Sequence, residues 1–371
     1  MKVFGSSELQ EDVFKQDLCI GCGACVDLCP YFKNHNGKTA ALFPCDLTKG
    51  RCYAYCPKAE VDMDELSMQS AGVPYRGSPI GNYQKIVAAR AGNNMTKSSF
   101  QGGGTVSSLM AFALKQNLIN RAVLTDRDGL KPAPKIITDW QEVTDCAGSK
   151  FMAAPTLSAL NTCISAGHTK LGIVGTPCQM MSVAKMSTNP LSKADFFDPI
   201  ALTIGLFCNW SLDTRQLMSL LADKLDISGI ISMEIPPPPA DIMTIETRDH
   251  HLEIPLSQIK PLIPHTCFIC LDMTSEWSDV SVGMYENQPG WNTLIIRSKK
   301  GADNVQQAYD NGFLETQDMP RENIEHLEKA SAEKKKRSLR TLIKRELINN
   351  KNRRSAVRIN AETFKKMLER L

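Results

Sequence analysis

No stretch of this 371-residue chain is apolar for long enough to cross a bilayer, and no charged-then-apolar leader opens it. The expectation is a cytoplasmic protein with no membrane span. Net charge is only +3, too weak to argue for a nucleic-acid partner. Both common phosphate fingerprints are missing: no glycine-rich loop ends in a lysine–serine pair, and there is no GxGxxG. No internal repeat is visible beyond two short cysteine arms. With 42% hydrophobic and 22% charged residues, the rest of the composition is that of a soluble globular protein, long enough for two domains and a tail. Cysteine is the exception. There are thirteen, and a reducing cytosol keeps thiols from pairing as disulfides, so metal chemistry is their expected use.

The run Cys19-Ile20-Gly21-Cys22-Gly23-Ala24-Cys25-Val26-Asp27-Leu28-Cys29-Pro30 has the spacing C-x2-C-x2-C-x3-C-P. This is the bacterial ferredoxin pattern for a cubane iron–sulfur cluster. Three thiolates on a tight turn reach three irons of one cube, and Gly21, Gly23 and Ala24 let the backbone wrap closely around it. The fourth cysteine leads away and, in two-cluster ferredoxins, serves the other cube. Zinc or a disulfide framework are the alternatives, and zinc rarely takes four cysteines so close together with a proline behind the last. The motif implies electron carriage, and exposed clusters of this kind imply an anaerobic host.

A second arm runs from Cys45 to Pro57 and ends in C-x3-C-P at Cys52, Cys56 and Pro57, but lacks the usual middle cysteine. One cluster would then take Cys19, Cys22, Cys25 and Cys56. The other would take Cys29, Cys45 and Cys52 and needs a fourth ligand. It is a three-iron cluster, or uses Asp46 or Thr48, or finds a thiolate elsewhere.

The expected fold is α+β and α/β combined. Residues 1–75 form a two-cluster ferredoxin-like module, followed by a polar connector with Gly72, Pro74, Gly77 and Pro79. Residues 82–318 alternate short apolar strands with amphipathic helices, the texture of a mixed α/β domain. Strands are expected at Lys85–Ala91, Ala122–Thr125, Leu171–Gly175, Ala201–Phe207, Ile242–Thr247, Asp279–Gly283 and Thr293–Arg297. Helices are expected at Val106–Gln116, Thr156–Ala166, Thr214–Leu225 and Ala302–Asn311. Four prolines at 236–239 mark a surface loop or rigid crossing. Residues 319–371 form a basic, helical tail in which Leu339, Leu342, Ile343, Leu347 and Ile348 recur at helical spacing. That tail reads as a solvated terminal helix, as a docking arm for a larger subunit, or as a nucleic-acid contact.

Six cysteines lie outside the first module. Cys178 follows one apolar strand, Cys208 ends another, and Cys267 and Cys270 form a CxxC. Such residues can converge at the carboxyl edge of a sheet, where α/β domains build their sites, although buried structural cysteines are common. Cys146 and Cys163 stand alone and read as that structural case. Gly102-Gly103-Gly104-Thr105 opens directly into a helix, whose free N–H groups suit a phosphate; a glycine-rich turn is also often only a turn. Lys97 or Lys150 reads as a phosphate partner or as an ordinary surface charge.

From about Lys85 to Gly312 the chain resembles the beta subunits of coenzyme F420 (deazaflavin) hydrogenases and dehydrogenases. The residues that carry the resemblance are Gln101–Gly104, Ala147–Phe151, Gly175–Gln179, Gly205–Cys208, Cys267–Asp272, Ser278–Gly283 and Gly290–Thr293, in the family's order. The resemblance implies FAD, one cubane cluster in this domain, and hydride exchange with F420. It places that cluster on Cys178, Cys208, Cys267 and Cys270. It places the flavin against Gly102, Gly103, Gly104, Thr105, Ser149, Lys150, Ser281, Gly283, Trp291 and Thr293. One departure is visible, since relatives often carry an acidic residue before the glycine pair where this chain has Gly102.

The module at residues 1–75 makes the chain similar to the beta subunits of formate dehydrogenases and membrane-bound deazaflavin dehydrogenases. No molybdopterin-type or nickel-type constellation is readable, so primary oxidation falls to a catalytic alpha subunit. The leading expectation is the beta subunit of an F420-dependent formate dehydrogenase, with two or three iron–sulfur clusters and FAD. The alternatives keep the chemistry but change the partner to a hydrogenase, a membrane dehydrogenase or a heterodisulfide reductase. Two others differ in class: a flavin-free polyferredoxin relay and a zinc-binding interaction protein.

Overall fold

A computed structural model describes residues 2–95, 100–237, 239–286 and 288–370. Its centre is an eight-stranded mixed sheet. In chain order the strands are β1 (Lys85–Ala91), β2 (Arg121–Asp128), β3 (Lys131–Ile137), β4 (Leu171–Gly175), β5 (Ile200–Leu206), β6 (Val280–Met284), β7 (Asn292–Ile296) and β8 (Leu314–Asp318). Across the sheet they run β8-β1-β7-β6-β5-β4-β2-β3. The four middle strands β6, β5, β4 and β2 are parallel to one another. The flanking pairs are antiparallel. All five residues of β4 are buried, as expected of a parallel strand covered on both faces.

The two edge strands are the ones that the sequence pattern conceals. β3 carries Pro132 and Pro134, tolerated because an edge strand need not donate every N–H to a ladder. β8 reads Leu-Glu-Thr-Gln-Asp, too polar to resemble a core strand. Helix Thr105–Lys115 lies in the main core with Leu109, Met110, Phe112 and Ala113 fully buried. The strand expected at Ile242–Thr247 forms, but in a separate three-stranded antiparallel sheet with Ile230–Glu234 and His251–Pro255. That sheet has its own core around Leu217, Met243 and Ile254.

The tail corrects an expectation. It is neither a solvated helix nor a free arm. Helix Arg321–Lys344 buries Ser331, Lys334, Lys335, Ser338, Leu339 and Leu342, one continuous face at i, i+3, i+4, i+7, i+8 and i+11. Leu339, Leu342, Leu347, Ile348, Ile359 and Met367 share a core with Leu9, Val13, Leu18, Phe32 and Tyr53 of the first module. Val357–Arg358 adds a parallel strand to Val61–Asp62. Arg354 pairs with Asp12 at 2.6 Å, and Lys335 makes a buried ion pair with Glu276. The apolar stripe packs on the chain's own first module and shares its core.

Truncation before Leu327 should therefore expose that shared core and yield insoluble or molten protein. Leu342→Ala, which leaves the chain complete, should cost about 2–5 kcal/mol, read as a lower denaturant midpoint. A truncated chain that unfolds with the full-length midpoint would contradict this packing.

Candidate functional site

β4 and β5 pair in register, Gly175 opposite Gly205. Each leaves the sheet at its carboxyl end and delivers a cysteine three residues after that glycine, Cys178 and Cys208. Cys178 stands in the first turn of helix Pro177–Ser187, which is closed by a capping box between Thr176 and Gln179. Its Sγ lies 3.2 Å from Thr176 Oγ1. The Cys208 N–H donates to Met273 O at 2.9 Å, which draws the segment after the CxxC to the same edge. Cys178, Cys208, Cys267 and Cys270 are thereby brought together. Burial pushes the Cys178 thiol up to about 11, reinforced by Cys270 and Cys267. Burial also raises Cys208, with Cys267, Cys178 and Cys270 adding to it. Left as thiols these groups resist ionisation, whereas a bound metal deprotonates its thiol ligands outright.

The ferredoxin-type loop lies against this set. Gly21 and Gly23 both adopt positive φ, and a Cβ on Gly23 would sit 2.5 Å from Pro155 O, so the loop can approach helix Thr156–Ser165 only with glycine there. Leu157 N–H donates to Cys22 O at 3.1 Å. Asn161, buried in that helix, donates from Nδ2 to the carbonyls of Gly23, Ala24 and Val26 at 3.3, 3.1 and 2.7 Å. Thr266, beside the CxxC, donates to Leu18 O at 2.7 Å. The Cys22 thiol is raised by burial, then by Cys56, with Cys178 and Cys19 contributing. Cys25 is raised by burial, then by Cys22, Cys56 and Cys19. Cys19, Cys22, Cys25 and Cys56 thus form one neighbourhood, bordering that of Cys178. Cys52 is pushed up to about 11 by burial, with Cys29 and Cys45 beside it. Asp46 and Thr48 are both exposed. Among the described residues no three His, Cys, Asp or Glu close around a point as ligands of one metal ion.

Both cysteine neighbourhoods open onto a single cavity of about 830 Å³, within the range of small-molecule sites. Cys19, Cys22, Cys178, Cys208, Cys267 and Cys270 line it, together with Gly102, Gly104, Thr105, Ser149, Lys150, Gly283, Trp291 and Thr293. Gly104 caps helix Thr105–Lys115 at φ 74°, and a Cβ there would meet the Phe100 ring at 2.6 Å. Asn292 ties the turn to β6, donating to Gly283 O at 3.3 Å and accepting from Thr105 N–H at 3.4 Å. Gln101 accepts from Ser149 N–H at 2.5 Å and donates to Met233 O at 3.0 Å.

Two expected contacts do not reach this space. Gly103 is packed behind the turn, against Ala89 O and Asn292. Ser281 lies outside the cavity lining, where it accepts from Arg297 Nε at 2.7 Å and donates to Ser275 O. Lys97 lies outside the described residues. Lys150 curls back onto the carbonyls of Cys146, Ala147 and Gly148 at 2.6, 3.1 and 2.9 Å.

Several residues that build the site carry no motif. Asn161 is one. Three lysines are others: Lys58 donates to Thr266 O at 3.4 Å, Lys185 to Cys56 O at 2.6 Å, and Lys334 to Cys208 O at 2.6 Å. Ser338 donates to Cys270 O at 2.8 Å. Lys334 and Ser338 lie on the same buried helical face as Leu342. The long helix also sends Asn323, His326, Leu327 and Ala330 into the cavity wall.

Residues 86–161 match the N-terminal part of the coenzyme F420 hydrogenase/dehydrogenase beta subunit, and residues 168–322 match its C-terminal part. The chain belongs to that family. Residues 13–31 match a 4Fe-4S binding domain. A coenzyme F420 hydrogenase beta subunit from Methanothermobacter thermautotrophicus is 30% identical over 277 residues, covering 72% of this chain and 96% of that one. An F420-dependent formate dehydrogenase beta subunit from Methanocaldococcus jannaschii is 21% identical, covering 66% and 65%. A chain of the F420-reducing NiFe hydrogenase complex from Methanosarcina barkeri superposes with a TM-score of 0.66 at 25% identity, over 75% of this chain and 97% of that one. The mixed α/β architecture of the F420 family is therefore shown, with a ferredoxin-type motif added in front. No helix among the described residues is long and apolar enough to cross a membrane.

Lys150 gives a testable electrostatic signature. Burial, then Arg127, pulls its pKa down to about 8. An anion bound beside it would favour the charged form and raise that pKa again. Affinity for an anionic cofactor should then be flat below about pH 8 and fall as pH rises above it, with proton uptake on binding. Titration calorimetry at several pH values in buffers of different ionisation enthalpy measures both. Binding with no proton uptake at pH 9 would place the anion elsewhere.

Proposed function

We propose that this chain is the electron-exchanging beta subunit of an F420-dependent oxidoreductase, with FAD in the 830 Å³ cavity and cubane clusters on the cysteine sets beside it. One observation carries the reading: the glycine-rich turn, Cys19 and Cys22 of the first module, and Cys178, Cys208, Cys267 and Cys270 face the same space. When bound, FAD supplies the exchange between single electrons and hydride, and iron–sulfur clusters supply single-electron carriage.

The protein's own contribution is position. Gly104, Thr105, Val106 and Ser107 line the cavity, so the start of helix Thr105–Lys115 would offer a phosphate the amides beyond Thr105, whose own N–H is taken by Asn292. Lys150 lines that end of the cavity, with Arg127 and Asp126 both acting on its charge. Cys178, Cys208, Cys267 and Cys270 would hold one cluster, and Cys19, Cys22, Cys25 and Cys56 a second. Cys29, Cys45 and Cys52 would share a third, which lies outermost because Cys29 is exposed. That placement supports electron passage between the outer set and the cavity, in either direction.

For the partner, the hydrogenase beta subunit at 30% identity is more similar than the formate dehydrogenase one at 21%. A hydrogenase-type catalytic subunit is thus better supported than the formate-oxidising one that the ferredoxin module suggested. Copurification, followed by F420 reduction with hydrogen or with formate, separates the two.

Two variants test the cofactor assignment from opposite sides. In anaerobically purified protein, Cys270→Ala should lose about four irons, one cubane, while keeping flavin and its hydride exchange with reduced F420. Gly104→Ala should keep its iron and lose most of its flavin, because the new Cβ displaces Phe100 and strains a left-handed residue. A Cys270→Ala protein with full iron, or a Gly104→Ala protein with full flavin, would remove the corresponding half of the proposal.

A further inference from the structure

Lys58, Lys185 and Lys334 are 8%, 2% and 3% exposed. None has a carboxylate at ion-pair distance among the described residues. Lys334 donates to Cys208 O at 2.6 Å and Asp272 O at 2.8 Å. Lys185 donates to Cys56 O at 2.6 Å and Ala59 O at 2.8 Å. Lys58 reaches only Thr266 O, next to Cys267, at 3.4 Å. Their neighbour Lys335, equally buried, shows the usual solution, an ion pair with Glu276.

A buried ammonium without a counter-ion is strongly unfavourable, since carbonyl dipoles replace only part of its hydration. Three of them are grouped where the cysteines are. Lys334 acts electrostatically on Cys208 and Cys267, Lys58 on Cys56, Cys178 and Cys267, and Lys185 on Cys56. Glu60 acts on Lys185 and Asp272 on Lys334 without closing an ion pair, and the other groups acting on both lysines are the cysteine sulfurs. A cluster held by four thiolates is a net anion, and it gains one more negative charge on reduction.

We propose, resting on the cluster assignment above, that these lysines are the fixed counter-charges of the two inner clusters. Lys334 serves the Cys178/Cys208/Cys267/Cys270 cluster, Lys185 the Cys19/Cys22/Cys25/Cys56 cluster, and Lys58 lies between both. Each is a positioning residue that sets a reduction potential. A nearby positive charge favours the reduced, more anionic state, so removing it lowers the midpoint. Lys334 comes from the long C-terminal helix, so a segment beyond residue 322, where the family match ends, sets the poise of the cluster beside the cavity.

The test is an anaerobic redox titration of the full chain, followed by electron paramagnetic resonance. Difference spectra against Cys270→Ala and Cys22→Ser assign the two cluster signals. Lys334→Gln keeps an amide donor for the carbonyls but removes the charge. It should shift the reduction equilibrium of the Cys270-dependent cluster at least tenfold, or 59 mV downward for one electron, and leave the Cys22-dependent one in place. Lys185→Gln should do the reverse, and Lys334→Arg should restore the wild-type midpoint.

Unchanged midpoints in both glutamine variants at full iron would overturn the proposal. Should Lys334→Gln shed iron, full iron and a normal midpoint in Lys334→Arg would still support the charge role, and equal loss in both would overturn it. A wild-type protein with no signal that Cys270→Ala removes would instead overturn the cluster assignment on which the proposal rests.

Discussion

The in-register pairing of β4 with β5 puts Cys178 and Cys208 at one edge of the sheet, each three residues beyond a matched glycine. Everything else about the site is arranged around that edge. The CxxC segment reaches it through the Cys208–Met273 backbone hydrogen bond. The ferredoxin-type loop reaches it through Asn161 and the first turn of the helix at residues 156–165. The long C-terminal helix reaches it through Lys334 and Ser338. Four segments far apart in sequence meet because each satisfies buried backbone polar groups of another, and such groups are costly to leave unpaired.

This convergence also explains why the chain does not divide into independent parts. The cysteine-rich first module shares its apolar core with the end of the chain. Here Leu339, Leu342, Leu347 and Ile348 complete its core from the far end of the chain. The same helix that completes the module also grips the cysteine set beside the cavity. Stability of the first module and geometry of the second cysteine set are thus coupled through one helix.

Much of this was legible in the residues, for definable reasons. The C-x2-C-x2-C-x3-C-P run has few physical interpretations. The strand β4 and the glycine-rich turn showed as an apolar run and a helix start, and the structure puts both at the cavity. The edge strands β3 and β8 were hidden by proline and by polarity, because an edge needs neither full laddering nor full burial. Ser281 was expected at the flavin from the family pattern, but its hydroxyl is held by Arg297 and Ser275 outside the cavity lining. The tail was read as separate because Lys334, Lys335, Ser331 and Ser338 look like a solvated face. Only the three-dimensional context shows that the buried stripe runs on through them. Lysine in a core cannot be found by apolar periodicity, since its burial is licensed by partners distant in sequence.

The central claim is that two iron–sulfur clusters flank one cavity. Anomalous diffraction at the iron edge from anaerobically grown crystals tests it most directly. The account predicts one multi-iron peak enclosed by Cys178, Cys208, Cys267 and Cys270 and another by Cys19, Cys22, Cys25 and Cys56, with the cavity opening onto both. Single-ion peaks at the zinc edge in either place, or iron-reconstituted protein whose four-cysteine sets hold no iron, would contradict it.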